Sequence, residues 1–264
     1  MNLELITKQV VNLSKTVGYF IKQEVEKLDK TDIEEKGIHN LVTYVDKQSE
    51  KQLVKELGII FPEAGFIAEE DATLIRSDKF NWVIDPLDGT TNFIHRIPLF
   101  AISIALMDGD EVIMGVIYEI NLKECFYAWK GSPAFLNGKQ IKVSVTTKLD
   151  NSLLATGFPY YDYSMLDPYL ALFKDLMQNT RGVRRLGSAA VDLAYVACGR
   201  FELFYEYGLQ SWDVAAGALI VKQAGGMVTD FNGKNDYVFG KQLIASNKHT
   251  HSEFSKKIQH FFSL

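Results

Sequence analysis

Two carboxylates three residues apart, Asp85 and Asp88, follow the apolar and aromatic run Phe80-Asn81-Trp82-Val83-Ile84. The run reads as a buried strand. Pro86 cannot donate to a ladder and biases the residue before it towards extended backbone, so the strand is predicted to stop at Asp85-Pro86. Across a tight turn this spacing can aim both carboxylates and the intervening Leu87 carbonyl at one point. Hard oxygen ligands of that kind suit Mg²⁺ or Mn²⁺. Gly89-Thr90-Thr91 then has the form of a helix start, where glycine lets backbone approach a ligand and the free N–H groups of the first turn can hold an anion. Metal and phosphate would meet here. An ordinary Asp-Gly turn with Asp85 as a cap accounts for the same residues.

The elements that must position these groups follow from periodicity and punctuation. Leu3, Ile6, Val10, Leu13, Val17 and Leu28 recur at helical spacing and predict a long amphipathic helix. Residues 29–40 are polar and non-periodic and read as an exposed loop. Leu41–Val45 reads as a strand, with Asp46 placed to cap a helix over 47–57 that stops at Gly58; Asp46 is read as a cap, not a ligand. Gly65–Ala68 is a short strand delivering Glu69-Glu70-Asp71. Runs at 100–107 and 111–120, then 124–129 and 140–145, are separated by the turn signals Asp108-Gly109-Asp110 and Asn137-Gly138, and describe an antiparallel sheet. His95 is read as packing. The polar stretch 146–151 marks a boundary between a segment 1–150 and a segment 151–264. The second segment alternates: a strand at 152–156, a helix from Asp167-Pro168 to Met177, extended chain at 183–186, a helix from Gly187-Ser188-Ala189 to Gly199, and a strand at 201–205 ending at Glu206. Asp213 opens another helix, stopped by Gly225-Gly226, and strands at 227–229 and 243–245 precede a last helix after Thr250. The expectation is a layered α/β protein with its site between the halves.

Composition narrows the function classes. The chain has 264 residues, of which 47% are apolar and 23% charged, as in an ordinary globular protein. A net charge of −5 argues against nucleic-acid binding. Neither a membrane span nor a secretion signal is evident, so the cytoplasm is the expected location. Cys125 and Cys198 sit in apolar surroundings and are expected to be free thiols. No glycine-rich nucleotide loop of the usual spacing occurs.

Asp85-Pro86-Leu87-Asp88-Gly89-Thr90-Thr91-Asn92-Phe93 resembles, uninterrupted over nine positions, the long signature of the inositol monophosphatase family, Mg²⁺-dependent and Li⁺-sensitive phosphatases. Trp212-Asp213-Val214-Ala215-Ala216-Gly217 resembles the family's second signature. The resemblance implies an αβαβα sandwich of the inositol monophosphatase and fructose-1,6-bisphosphatase type, usually dimeric. It also implies two or three Mg²⁺ ions, with Mn²⁺ as a substitute: one held by Glu69, Asp85 and the Leu87 carbonyl, a second by Asp85, Asp88 and Asp213. Glu69 matches the first glutamate of the family's Phe-Ile-x-Glu-Glu motif. Glu69 and Thr90 would activate water, and the Gly89 and Thr90 N–H groups would hold phosphate. Asp88, Ala189, Glu206 and Asp213 fall on the positions that face the alcohol, and Lys36 on a lysine of a loop that can close over the site. The implied substrate is a small phosphorylated metabolite, inositol 1-phosphate first, with fructose 1,6-bisphosphate, NADP and histidinol phosphate as alternatives. Some bacterial members are also partners of the transcription machinery, and Arg181-Gly182-Val183-Arg184-Arg185 is the basic cluster available for that.

Overall fold

A computed structural model describes residues 1–28, 33–37, 40–159 and 162–263, with only the backbone described at 33, 35–37, 40 and 41. Helix α1 (Leu3–Glu24) is followed by strands β1 (Ile33–Gly37) and β2 (Asn40–Thr43), helix α2 (Tyr44–Ile60), and strands β3 (Gly65–Ala68) and β4 (Phe80–Asp88). A short helix α3 (Thr90–Ile94) leads into β5 (Ala101–Asp108), β6 (Glu111–Glu119), β7 (Glu124–Trp129), β8 (Ala134–Leu136) and β9 (Lys139–Ile141). The remainder is β10 (Leu153–Thr156), α4 (Leu166–Asn179), β11 (Gly182–Arg184), α5 (Ala189–Ala197), β12 (Leu203–Tyr207), α6 (Ser211–Gln223), β13 (Met227–Thr229), β14 (Gln242–Ser246) and α7 (His251–Phe262).

Strands β3 to β9 form one seven-stranded sheet in chain order, antiparallel except for the parallel β3–β4 pair. A second, mixed sheet has the order β11-β10-β12-β14-β13. Alternation along the strands decides the layering. Trp82, Ile84, Ile102, Ile104 and Leu106 turn to one face and pack with α1 and α2, whereas Val83, Ala101, Ala105 and Met107 turn to the other and pack with α5 and α6. The far side of α5 and α6 meets the second sheet, whose outer face is covered by α4 and α7. The result is an αβαβα sandwich. No described helix is long and apolar enough to cross a membrane.

Small residues on the inner face of the first sheet let α6 lie close. A Cβ at Gly115 would sit 2.7 Å from the Ala216 carbonyl oxygen and 2.9 Å from its Cα. Ser103, on the same face, donates from its hydroxyl to the Trp212 carbonyl at 2.9 Å. This bond ties the first turn of α6 to the middle of β5.

Several boundaries differ from the sequence reading. Pro86 does not end β4: pairing with β5 resumes at Asp88 after a slip between Asp85 and Asp88, so the proline occupies an irregularity where no ladder N–H is required. Part of the expected 29–40 loop is a β1–β2 hairpin, because Ile33–Gly37 pairs with Asn40–Thr43, of which 41–43 read as extended and Asn40 as loop. Helix α2 passes through Gly58 to Ile60, and α1 ends at Glu24 instead of Leu28. In the 140–145 run only the start, β9, is paired. Cys125 is buried and Cys198 half-buried, both as free thiols.

Two glycine substitutions test the packing in opposite directions. Gly115→Ala must push α6 off the sheet and should cost about 1–3 kcal/mol, the usual penalty of overpacking. Gly58→Ala, where a Cβ would meet nothing closer than the Phe66 Cζ at 3.9 Å, should stabilise by about 0.4–1 kcal/mol. Urea unfolding of the two variants checks both signs.

Candidate functional site

Asp85 and Asp88 lie at the end of β4, and Asp213 in the first turn of α6 comes up beside them. One carboxylate oxygen from each falls within 4.8 Å of the other two. Local backbone chemistry aims each of them. The Leu87 N–H donates to Asp85 Oδ1 at 2.9 Å, closing a small turn in the irregular part of β4. Asp213 Oδ2 accepts the Gln210 N–H at 2.6 Å, the reciprocal half of a capping box that fixes the entry to α6. Asp88 reaches further: its Oδ2 accepts from the Ser188 hydroxyl at 2.6 Å and the Ala190 N–H at 2.7 Å, at the start of α5. Ala189, buried between these two donors, has its N–H near enough to favour the Asp88 charge. One carboxylate therefore joins the first sheet to the helix layer. Asn92 makes a parallel tie, its amide donating to the Leu99 and Leu186 carbonyls at 2.8 and 2.9 Å.

Glu69 stands just past β3 and is hydrogen-bonded to Asp85. Two carboxyl groups can share such a contact only if a proton or a cation lies between their charges. Burial first, then the charges of Asp213 and Glu70, holds Glu69 well above the usual carboxylate range, and burial followed by the charges of Glu69 and Asp88 does the same to Asp85. Burial likewise pushes Asp213 up to about 7, with Asp88 adding to the shift. Burial also pushes Glu206, at the end of β12, up to about 8, against a lowering by Arg185. Asp88 is raised by burial and held down by its donors at Ser188, Ala190 and Ala189. A crowded all-oxygen set that resists ionising is what hard divalent cations complete. The donor set fits Mg²⁺ or Mn²⁺.

Gly89, the N-cap of α3, has φ of 95°, in the left-handed region, and a Cβ there would come within 3.2 Å of the Gly187 carbonyl oxygen. Thr90 is half-buried, and its hydroxyl lies 3.0 Å from Asp46 Oδ1 and 3.0 Å from the Leu87 carbonyl oxygen. Its side-chain partner is thus Asp46. Asp46 is a capping residue as read, although at the third position of α2: Thr43 is the N-cap, and Asp46 Oδ2 accepts the Thr43 N–H at 2.8 Å and hydroxyl at 2.6 Å. Its other oxygen faces Thr90. Cap and site residue are the same side chain, and capping alone explained the sequence pattern, so the second role went unread. Burial pushes the Asp46 carboxyl up to about 6, against the hydrogen bonds of Thr43 and Thr90.

Glu206 packs directly on the Gly157 backbone, leaving no room for a side chain at 157. Lys36 contributes backbone to β1, but its side chain lies outside the described residues.

These shifts fix the sign of a pH effect. With EDTA present, the folded protein holds protons on Asp213 and Glu206 that the unfolded chain releases from about pH 4 upward. Their stabilisation is complete below that pH and is lost as pH rises through about 7 and about 8. Urea midpoints should therefore fall between pH 5 and pH 8 in EDTA, and Mg²⁺ should reduce or reverse the fall by replacing the protons. A decline unaffected by Mg²⁺ would contradict the cation-binding reading.

Comparison with known proteins agrees with this geometry. The sequence profile of the inositol monophosphatase family matches residues 2–261. The Nus factor SuhB of Pseudomonas aeruginosa is 41% identical over 239 residues, covering 89% of this chain and 88% of that protein. The crystal structure of the extragenic suppressor protein SuhB from Bartonella henselae superposes with a TM-score of 0.90 at 38% identity, covering 97% of this chain and 98% of that one. An IMPase/NADP phosphatase complexed with Mg²⁺ and phosphate superposes with a TM-score of 0.84 at 26% identity, over 97% of this chain and 96% of that one. A whole-chain profile match, a shared fold and converging acids at both signature motifs make this chain a member of the inositol monophosphatase family.

Proposed function

We propose that the protein hydrolyses a small phosphomonoester, inositol 1-phosphate before others, at the acidic cluster with Mg²⁺ bound. The observation that carries this is the hydrogen-bonded Glu69–Asp85 pair beside Asp88 and Asp213, a set of charges that needs cations. The Mg²⁺–phosphate complex of a structural relative supports the choice of ion.

Glu69, Asp85, the Leu87 carbonyl, Asp88 and Asp213 would hold the ions. Bound there, Mg²⁺ supplies positive charge against the phosphate and lowers the pKa of water. The chain's own groups do the rest. Thr90 Oγ1 has one proton to donate and two lone pairs, so while it donates to Asp46 it can accept from an attacking water and orient it. Asp46, ionised at neutral pH, can take up that proton through Thr90. The Gly89 and Thr90 N–H groups precede the hydrogen bonds of α3 and would hold phosphate oxygens. Glu206, fixed against Gly157, would hydrogen-bond vicinal hydroxyls of the alcohol, with Ala189 leaving room for a ring.

The names of the relatives favour a second reading, association with the transcription machinery. Arg181 and Arg184 are exposed at β11, an edge strand of the second sheet. Binding of purified protein to RNA polymerase that survives both Arg→Ala changes would remove this cluster from consideration.

A phosphate-release panel of inositol 1-phosphate, fructose 1,6-bisphosphate, NADP, histidinol phosphate and an aryl phosphate tests the main reading. Inositol 1-phosphate should give the highest kcat/KM. Glu206→Ala should cost it about 10- to 100-fold, the worth of a hydrogen bond to a carboxylate, while sparing the aryl ester. Asp88→Asn should hurt every substrate by more than the 10- to 100-fold typical of groups outside the ligand set. NADP or fructose 1,6-bisphosphate as clear best substrate would overturn the polyol assignment and leave the hydrolase.

A further inference from the structure

Glu50 lies on α2 one turn beyond Asp46, and only 3% of it is exposed. No basic side chain pairs with it among the described ion pairs. Its Oε2 instead accepts the Glu70 N–H at 2.8 Å, and the Asp71 N–H also contributes to holding the carboxylate charge. Burial raises the Glu50 carboxyl above its ordinary range, and these two N–H groups oppose the shift. A buried carboxylate is a costly way to receive backbone donors unless their placement matters.

That placement concerns Glu69. The β3–β4 ladder ends at the Ala68–Ile84 pair, so Glu69 is the first residue the sheet no longer holds. Immediately after it, the backbone is anchored by Glu50. Beside this turn lies a cavity of about 550 Å³ lined by Lys47, Glu50, Lys51, Val54, Glu70 and Leu74. The direction in which Glu69 meets Asp85 is thus set between the end of β3 and one hydrogen-bonded carboxylate on α2.

We propose that Glu50 is a positioning residue for the metal site: by receiving the Glu70 N–H it fixes the turn that presents Glu69 to the cations. This rests on the reading of Glu69 as a metal ligand. Helix α2 then supports two walls of the site from successive turns, with Asp46 on Thr90 and Glu50 behind Glu69. A carboxylate suits the task because either oxygen accepts, whereas glutamine offers one acceptor and can turn its amide donor towards the Glu70 N–H.

The test is direct binding without turnover. Protein stripped with EDTA and dialysed is titrated with Mn²⁺, and free Mn²⁺ is read by electron paramagnetic resonance, for wild type, Glu50→Ala and Glu50→Gln, with circular dichroism to establish folding. Glu50→Ala should weaken Mn²⁺ binding about 10- to 100-fold, the usual effect of losing a group that orients a ligand. Glu50→Gln should fall between Glu50→Ala and wild type. A folded Glu50→Ala with a lowered Tm and the wild-type Kd would make Glu50 a structural residue only and overturn the proposal. Should Glu50→Ala not fold, a wild-type Kd for Glu50→Gln overturns it equally. Absence of Mn²⁺ binding by wild type would overturn the metal reading itself and this proposal with it, whereas wild-type binding with unaltered variants removes only the role of Glu50.

Discussion

Repulsion among buried carboxylates is the constraint on which the rest of this structure depends. Glu69 and Asp85 are in hydrogen-bond contact, with Asp88 and Asp213 close by, at the junction of the first sheet and the helix layer. Water cannot screen these charges well once they are partly or wholly buried. The fold holds them together by distributing their other oxygens onto backbone and hydroxyl donors at Leu87, Gln210, Ser188 and Ala190. What remains unsatisfied is net negative charge. Such a set of oxygens suits hard divalent cations.

The same requirement explains features distant from the acids. Asp213 can reach Asp85 only if α6 lies close on the first sheet, and Gly115, Ala101, Ser103 and Ala105 leave that face nearly bare. The Ser103–Trp212 hydrogen bond then sets the height of the first turn of α6. Asp88 acts in two ways, offering charge to the cluster while clamping α5 to β4 through Ser188 and Ala190. On the opposite face, α2 carries Asp46 and Glu50 inward on successive turns. Packing and electrostatics are consequently not separable here: a shift of either flanking helix moves a carboxylate.

How much of this could be read from the chain depended on whether the signal was local. The run ending at Asp85 and the spacing to Asp88 announce strand, turn and ligand set within a few residues, and the acids at Glu69 and Asp213 sit at element ends that periodicity places well. Asp46 escaped because a capping box accounts fully for an acid at that position, and its approach to Thr90 spans 44 positions. The continuation of β4 past Pro86 escaped for a related reason, since only the β5 partner reveals that no N–H is needed there. Close approaches at Gly115 and Gly157 are likewise invisible without the opposing element, because a strand glycine and a turn glycine look alike in sequence.

The central claim is that cations complete the acidic cluster, and anomalous scattering from crystals soaked in Mn²⁺ tests it most directly. Data collected above the manganese edge should show peaks between the Glu69 and Asp85 carboxylates and among Asp85, Asp88 and Asp213. Anomalous density confined to other surface acids, with Glu69 and Asp85 still in contact with each other, would contradict the account.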